Sequence, residues 1–432
     1  MTTPMAAAEV GAGLIDYLNA SPTPFHACAE SARMLVDAGF RQLAETDEWP
    51  TESGGWFLIR GGSLIAWSTR HSAGATTPIR LVGAHTDSPN FRIKPQPDVS
   101  RAGWQLLGVE PYGGIISPSW MDRDLAVAGR AAVRDGHGAR EQLFRVDDPI
   151  LRISRLAIHL DRSARDGEQL NPQQHLVPHW GLGDSAGDFR SYVADSLGVD
   201  STALLAWDAM TFDLQPAAFF GRDQEFIAGA RMDNLATSYA GTLALIRADR
   251  DAPAAPTTQV LALFDHEEIG SVSERGAQSA LLMTTLERIT RSLGGDRDAM
   301  HRALAGSVIA SGDMAHATHP NYADRHEAQH QIAMNGGPVL KINTNLRYAT
   351  DSVGTAAFSL ACEQAEVPVQ TFVVRSDLPC GSTVGPITSA LTGVTTVDFG
   401  APTLSMHSVR ELVGTEDQRM YADALTAFLS PA

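Results

Sequence analysis

Apolar residues recur at helical spacing over 10–20 and again over 26–38, with SPTPF between them, so the chain is predicted to open with two helices. The period then changes. GWFLIR and SLIAWST, joined by Gly-Gly, read as a two-stranded hairpin. PIRLVGAH (78–85) reads as a buried strand that runs directly into TDSPN. From about 91 to 225 the pattern breaks into short predicted strands with Gly and Pro turns: RIKPQPDVS, GWQLLGVEPYGGIISPSW, RAAVRDGHGAREQLFRV and LRISRLAIHL. The stretch NPQQHLVPHWGLGDS is irregular, and a helix follows near 188–197.

After 228, helices and apolar strands alternate. Helix 233–248 precedes strand 259–264, followed by helix 277–293, strands 306–311 and 338–343, helix 355–367, and strands VQTFVVR and VTTVDF. TEDQRMYADALTAFL closes the chain as a helix. Such alternation predicts βαβ units around a largely parallel sheet. The expected organisation is an α/β domain made of residues 1–90 and 228–432, interrupted by a β-rich insert at 91–227.

Composition changes this picture little. Length 432 and 44% hydrophobic residues fit a folded globular protein. A net charge of −17 argues against nucleic acid or an anionic membrane as partner. No apolar run is long enough to span a membrane, and the start lacks a basic region followed by an apolar core, so no signal peptide is expected. Three cysteines (Cys28, Cys362, Cys380) suit a reducing, cytoplasmic setting and exclude a disulfide scaffold. Lys94 and Lys341 are the sole lysines among 33 basic residues.

The chemistry gathers at strand ends and helix starts. VLALFDHEEIGS sets four ionisable residues directly after an apolar strand, and burying such groups is costly unless they pair or hold a cation. VGAHTDSPN, GARMDNLATS, IASGDMAHATHPNY and APTLSMHSVRE share that context. A pair of divalent ions about 3.5–4 Å apart needs a bridging carboxylate and two further ligands for each ion. Asp233 can bridge, His85 and Asp313 can complete one ion, and Glu268 and His407 the other. Glu267 is left as a base, and Asp87 can orient the His85 imidazole. HEEIG is not HExxH, because Gly270 occupies the fourth position after His266, so His266 is read as structural. His316 and His319 are read as polar support or substrate contacts. No dinucleotide or phosphate-binding loop motif is present, and Cys380 and Ser382 in PCGSTVGP are read as pocket lining rather than nucleophiles.

HTDSPN, MDNL, DHEEIGS, SGDMAHATHPNY, KINTNLRYATDS, SDLPCGSTVGP and SMHSVRE together resemble the aspartyl aminopeptidase family, and LAIHLDR and LNPQ extend the likeness over nearly the whole chain. The resemblance implies a dinuclear zinc exopeptidase that removes N-terminal Asp or Glu from small peptides with free N-termini. It places the metal ligands on His85, Asp233, Glu268, Asp313 and His407, and the general base on Glu267. The ligand types suit Zn2+, with Co2+ or Mn2+ as alternatives. The implied fold is a mixed-sheet α/β zinc-peptidase catalytic domain interrupted by a β-rich dimerisation domain. Dimers and tetrahedral dodecamers are implied, with His159 reaching into a partner's active site. Acidic specificity requires a cationic pocket, for which Lys341 is the first candidate and Arg347 a weaker one, with His316 as a further substrate contact. Two other readings stay open: a dinuclear metallopeptidase or amidohydrolase of broader or neutral preference, and a non-catalytic, metal-stabilised assembly protein.

Overall fold

Seven consecutive residues, Thr258–Phe264, form a strand buried along its whole length, as a strand covered on both faces must be. Alternate side chains divide between two cores. Leu261 and Leu263 join Val82, Ala84, Leu64 and Phe57 on one face, while Val260, Ala262 and Phe264 join Leu81, Ile65 and Trp67 on the other. Each fully buried Leu or Phe here contributes roughly 1.5–3 kcal/mol.

The computed structural model describes residues 5–162, 167–183 and 189–432. The chain separates into two units: Met1–Asp87 with Ala217–Met406 and Glu411–Ala432, and Ser88–Pro216 with His407–Arg410. In the first unit, a nine-stranded mixed sheet runs in the order Arg41–Gln42, Gly55–Arg60, Ser63–Ser68, Thr258–Phe264, Ile79–His85, Val308–Gly312, Thr395–Gly400, Val339–Ile342, Gln370–Val373. Its central neighbours, from Thr258–Phe264 across to Thr395–Gly400, are parallel. Residues of helices Ala7–Ala20, Pro24–Asp37, Met232–Arg250, Ser352–Gln364 and Thr415–Leu429 fill one core. Those of Leu281–Ser292 and Arg297–Ala305 fill the other. A second, five-stranded sheet joins Ala218–Phe220, Phe226–Gly229, Glu411–Gly414, Pro402–Leu404 and Ala315–His316.

The second unit is built on a six-stranded antiparallel sheet, ordered Gly138–Leu151, Leu125–Asp135, Leu204–Asp213, Asn90–Arg101, Trp104–Tyr112, His179–Leu182. Helix Phe189–Leu197 contributes Phe189, Val193 and Ala194 to its core.

Local differences from the sequence expectation have physical reasons. LRISRLAIHL is not a strand: Leu151 ends one, Arg152 makes a single bridge to His179, and 158–160 form a turn. Leu156, Ile158 and Leu160 supply the apolar pattern of a strand yet remain exposed. NPQQHLVPHWGLGDS is more regular than expected. Asn171 caps a short helix, Pro172–His175, and His179–Leu182 pairs with Trp104–Tyr112; its residues 184–185, like residue 188 of the predicted helix, lie outside the described residues. Helices Arg297–Ala305 and Val384–Thr392 were hidden by their shortness and, in the second, by Gly385 and Pro386. Among the described residues, no helix is long and apolar enough to cross a membrane.

Candidate metal centre

Three adjacent parallel strands finish at one level. Phe264 lies in register with His85, and Ser311 with Gly83. His85 and the residues just past Phe264 and Gly312 therefore emerge at the carboxyl edge of the sheet, where open α/β sheets gather ligands.

His85 is 1% exposed. Its Nδ1 donates to the Asp87 backbone carbonyl at 2.9 Å, which leaves Nε2 as the lone-pair nitrogen. That nitrogen faces Asp233 Oδ1 at 3.3 Å, Asp313 Oδ1 at 3.6 Å and Glu267 Oε2 at 3.9 Å. A lone pair held against carboxylate oxygens is repulsive unless a proton or a cation lies between them. Burial pulls the His85 pKa down, but Asp233, Asp313, Asp87 and Glu267 outweigh burial and hold it well above the usual value. The pocket thus favours positive charge at Nε2. Ligand atoms around one tetrahedral zinc lie about 3.3–3.6 Å apart, given bonds of about 2.0–2.2 Å, and the His85–Asp233–Asp313 spacings match that edge. His85, Glu267 and Glu268 form a second group with ligand atoms within 4.8 Å of one another. Donor chemistry and spacing both fit zinc.

The glutamates are delivered by a tight turn. After Phe264, His266 adopts a left-handed conformation (φ 66°), and Glu267–Ile269 form one turn of 3-10 helix. Asp87 accepts the Glu267 N–H on Oδ1 and the Glu268 N–H on Oδ2, each at 3.1 Å. The role expected of the Asp87 carboxylate is therefore changed: the backbone carbonyl takes the His85 Nδ1 hydrogen bond, while the carboxylate, 3.4 Å from His85 Nδ1, fixes both glutamate backbones. The other half of DHEE faces away from this chemistry. Buried Asp265 accepts from Arg275 Nε at 2.8 Å, and His266 lies between Ser273 Oγ (2.8 Å) and Arg275 Nη2 (3.2 Å). Burial, reinforced by Asp313, Asp87 and Asp233 against the opposing pull of His85, raises the Glu267 pKa to about 8.

Asp233 sits at the start of helix Met232–Arg250, and Asn234 Nδ2 donates to the Gly312 carbonyl at 2.8 Å beside Asp313. Lys341 is 2% exposed, so it is no solvated surface lysine. Its Nζ lies 2.9 Å from Asp313 Oδ2 and 5.2 Å from the Tyr348 ring. Arg347 is exposed; its Nε donates to the Gly381 carbonyl at 3.3 Å, and no carboxylate among the described residues pairs with it. His316 packs edge-on against Phe372, ring centroids 5.9 Å apart. Ser382 Oγ donates to the Arg347 carbonyl at 3.1 Å.

His407 belongs to the second unit, where its Nδ1 donates to the Gly114 carbonyl at 3.0 Å. This repeats the pattern of His85, an imidazole whose Nδ1 is tied to a backbone carbonyl. A side chain at Gly114 would put its Cβ 2.9 Å from His407 Nδ1, so only glycine fits without displacement. His159 is exposed in the turn 158–160. Sequence reasoning gave no role to Gly114, Glu411 or Arg275; Gly114 and Arg275 carry no local signal, and Glu411 was visible only as an acid near His407.

The chain matches the model for the aminopeptidase I zinc metalloproteases (M18) over residues 17–429. It is 50% identical over 421 residues to a probable M18 family aminopeptidase 2 of Streptomyces coelicolor, covering 97% of each chain. Its structure resembles a chain from the cryo-EM structure of the Ape4 and Nbr1 complex, with TM-score 0.93, 35% identity, and coverage of 98% of this chain and 86% of that one. It also resembles the S. cerevisiae mApe1 dodecamer, with TM-score 0.85, 26% identity, and coverage of 97% and 96%.

Proposed function

The chain belongs to the M18 family of zinc metalloproteases and is an aminopeptidase, and from that premise we propose that it uses two zinc ions to remove acidic residues from peptide N-termini. The observation that carries this reading is His85 Nε2 facing Asp233, Asp313 and Glu267 within 3.9 Å. His85, Asp313 and Asp233 would hold one ion, and Asp233, Glu268 and His407 the other. The ions supply electrophilic activation of water and of the scissile carbonyl. Glu267 takes the proton of the attacking water and delivers it to the departing amine. Asp87 keeps Glu267 and Glu268 in place through their amides.

Lys341 and Arg347 would meet the acidic side chain, with His316 beside them. The buried ammonium of Lys341 adjoins Asp313, which puts a cation next to the proposed scissile position. The likeness to the mApe1 dodecamer supports self-association; the six-stranded unit would be the dimerisation surface, and His159 would complete a neighbour's site. Exposed Leu156 (62%) and Leu160 (75%) give that segment an apolar face to cover. Three free cysteines suit a cytoplasmic setting.

A second reading, neutral or broad N-terminal preference, is favoured by one observation: the Lys341 ammonium is already paired with Asp313. Hydrolysis of matched Asp, Glu, Leu, Ala and Lys chromogenic amides separates the two, after chelation and after adding back zinc, cobalt or manganese. Activity that requires metal and peaks on Asp or Glu is expected. Lys341→Met should then depress the acidic substrates roughly tenfold to a hundredfold more than Leu, the scale of a charged hydrogen bond. Equal losses on all substrates would remove Lys341 from the pocket.

A further inference from the structure

The amide of Asp233 donates to an acceptor outside the helix it opens. Helix Met232–Arg250 starts from Arg231 in the left-handed region (φ 63°), which provides no side-chain cap, and Asp233 itself is extended (φ −82°, ψ 106°). The first N–H groups of any helix need acceptors from outside it. Here the acceptor comes from a remote strand. Glu411 Oε2 takes the Asp233 N–H at 3.1 Å, across 178 residues of sequence. Glu411 is 2% exposed and opens the strand Glu411–Gly414, whose antiparallel register sets it opposite Gly229, just ahead of Asp233.

The carboxylate end of the same aspartate lies 3.3 Å from His85 Nε2. One residue thus joins two fixed points: its amide on Glu411 and its Oδ1 against His85. We infer that Glu411 is a positioning residue that sets the Asp233 carboxylate against His85 by holding the Asp233 backbone. The inference rests on the metal-centre reading above. It parallels the grip of Asp87 on Glu267 and Glu268, but from the opposite end of the chain. The requirement is for an acceptor, and an amide oxygen accepts the same N–H, so glutamine should replace Glu411 and an apolar residue should not.

The test loads cobalt(II) into wild type, Glu411→Leu and Glu411→Gln. It reads the visible cobalt spectrum, cobalt affinity by chelator competition, and kcat and KM separately. The leucine variant is expected to bind cobalt about 10–100-fold more weakly, the usual cost of losing a group that orients a ligand, with a changed spectrum and a fall in kcat rather than a rise in KM. Glu411→Gln should restore the spectrum and bring affinity to within about threefold of wild type. A leucine variant with wild-type spectrum and affinity would overturn the inference, and so would a glutamine variant as impaired as the leucine one. Should circular dichroism show the leucine variant unfolded, the glutamine result decides alone. A wild-type protein that takes up no cobalt would instead bring down the metal reading itself.

Discussion

His85 and His159 both follow apolar residues, in LVGAH and LAIH, and there the likeness ends. His85 closes a strand with parallel neighbours on both sides, is 1% exposed, and has both nitrogens assigned by its surroundings. His159 sits in an exposed turn between Ile158 and Leu160, which are themselves exposed. The same local sequence signal therefore describes opposite environments. In the first, the apolar residues bury the histidine's strand; in the second, they form surface that a single chain leaves uncovered. A role for His85 can be argued within one subunit, whereas the role proposed for His159 lies in a second one.

The largest expected effect tests the first half of that contrast. Glu267→Gln, next to His85 but outside the ligand set, should lower kcat by about 10²–10⁴ while metal content stays at the wild-type level. Loss of metal together with activity would make Glu267 a ligand and redraw the centre. The second half is tested by His159→Ala, with an expected fall in kcat of roughly 10²-fold, as for loss of one oxyanion donor, and unchanged metal content. Mixing subunits sharpens the contrast further. Co-assembled His159→Ala and Glu267→Gln chains should recover activity that neither possesses alone, because one site in the mixture would receive an intact member of each pair. No recovery in verified mixed oligomers would return His159 to its own subunit or to a structural role.

The smallest effect concerns a buried carboxylate outside the proposed metal centre. Asp417 accepts the backbone N–H groups of Asn335 and Gly337, at 2.6 and 2.9 Å. Burial nevertheless raises its pKa from 3.8 to about 7, against the pull of those amides. The folded chain then binds more protons than the unfolded one between about pH 4 and 7, so this group's contribution to stability falls as pH rises through that window and is constant above it. Asp417→Asn, whose NH2 cannot accept the second backbone N–H, should leave activity intact and lower Tm most near pH 5, with the gap to wild type closing toward pH 8. A gap independent of pH would mean that Asp417 is ionised throughout. The comparison it offers is direct: amides alone satisfy Asp417, while the carboxylates around His85 are arranged for a cation.

What was legible follows the same division. His85, Asp233, Glu267, Glu268 and Asp313 could be picked out because each lies at a strand end or helix start, positions that hydrophobic periodicity locates well, and the structure brings them together. The alternation of strands and helices after 228 was legible for the same reason. The supporting geometry was not. Nothing in SVRE says that Glu411 will cap a helix 178 residues earlier, and nothing in PYGG says that Gly114 will lie against His407. Asp87 was expected to serve an imidazole and serves two amides as well, because the turn that His266 creates is a matter of backbone conformation. LRISRLAIHL was misread because apolar composition predicts burial, and only the fold shows which apolar segments lack a neighbour.

The strand order has a temporal side. Ile79–His85 lies between Thr258–Phe264 and Val308–Gly312, so the middle of the sheet is filled by segments made far apart on the ribosome. At about 5–20 residues per second, His85 emerges roughly 10–50 s before Asp313. A nascent chain therefore holds the first donor of the centre long before it can hold the ion. On the ligand set proposed above, an ion shared by His85, Asp233 and Asp313 would enter only a chain already translated past residue 313.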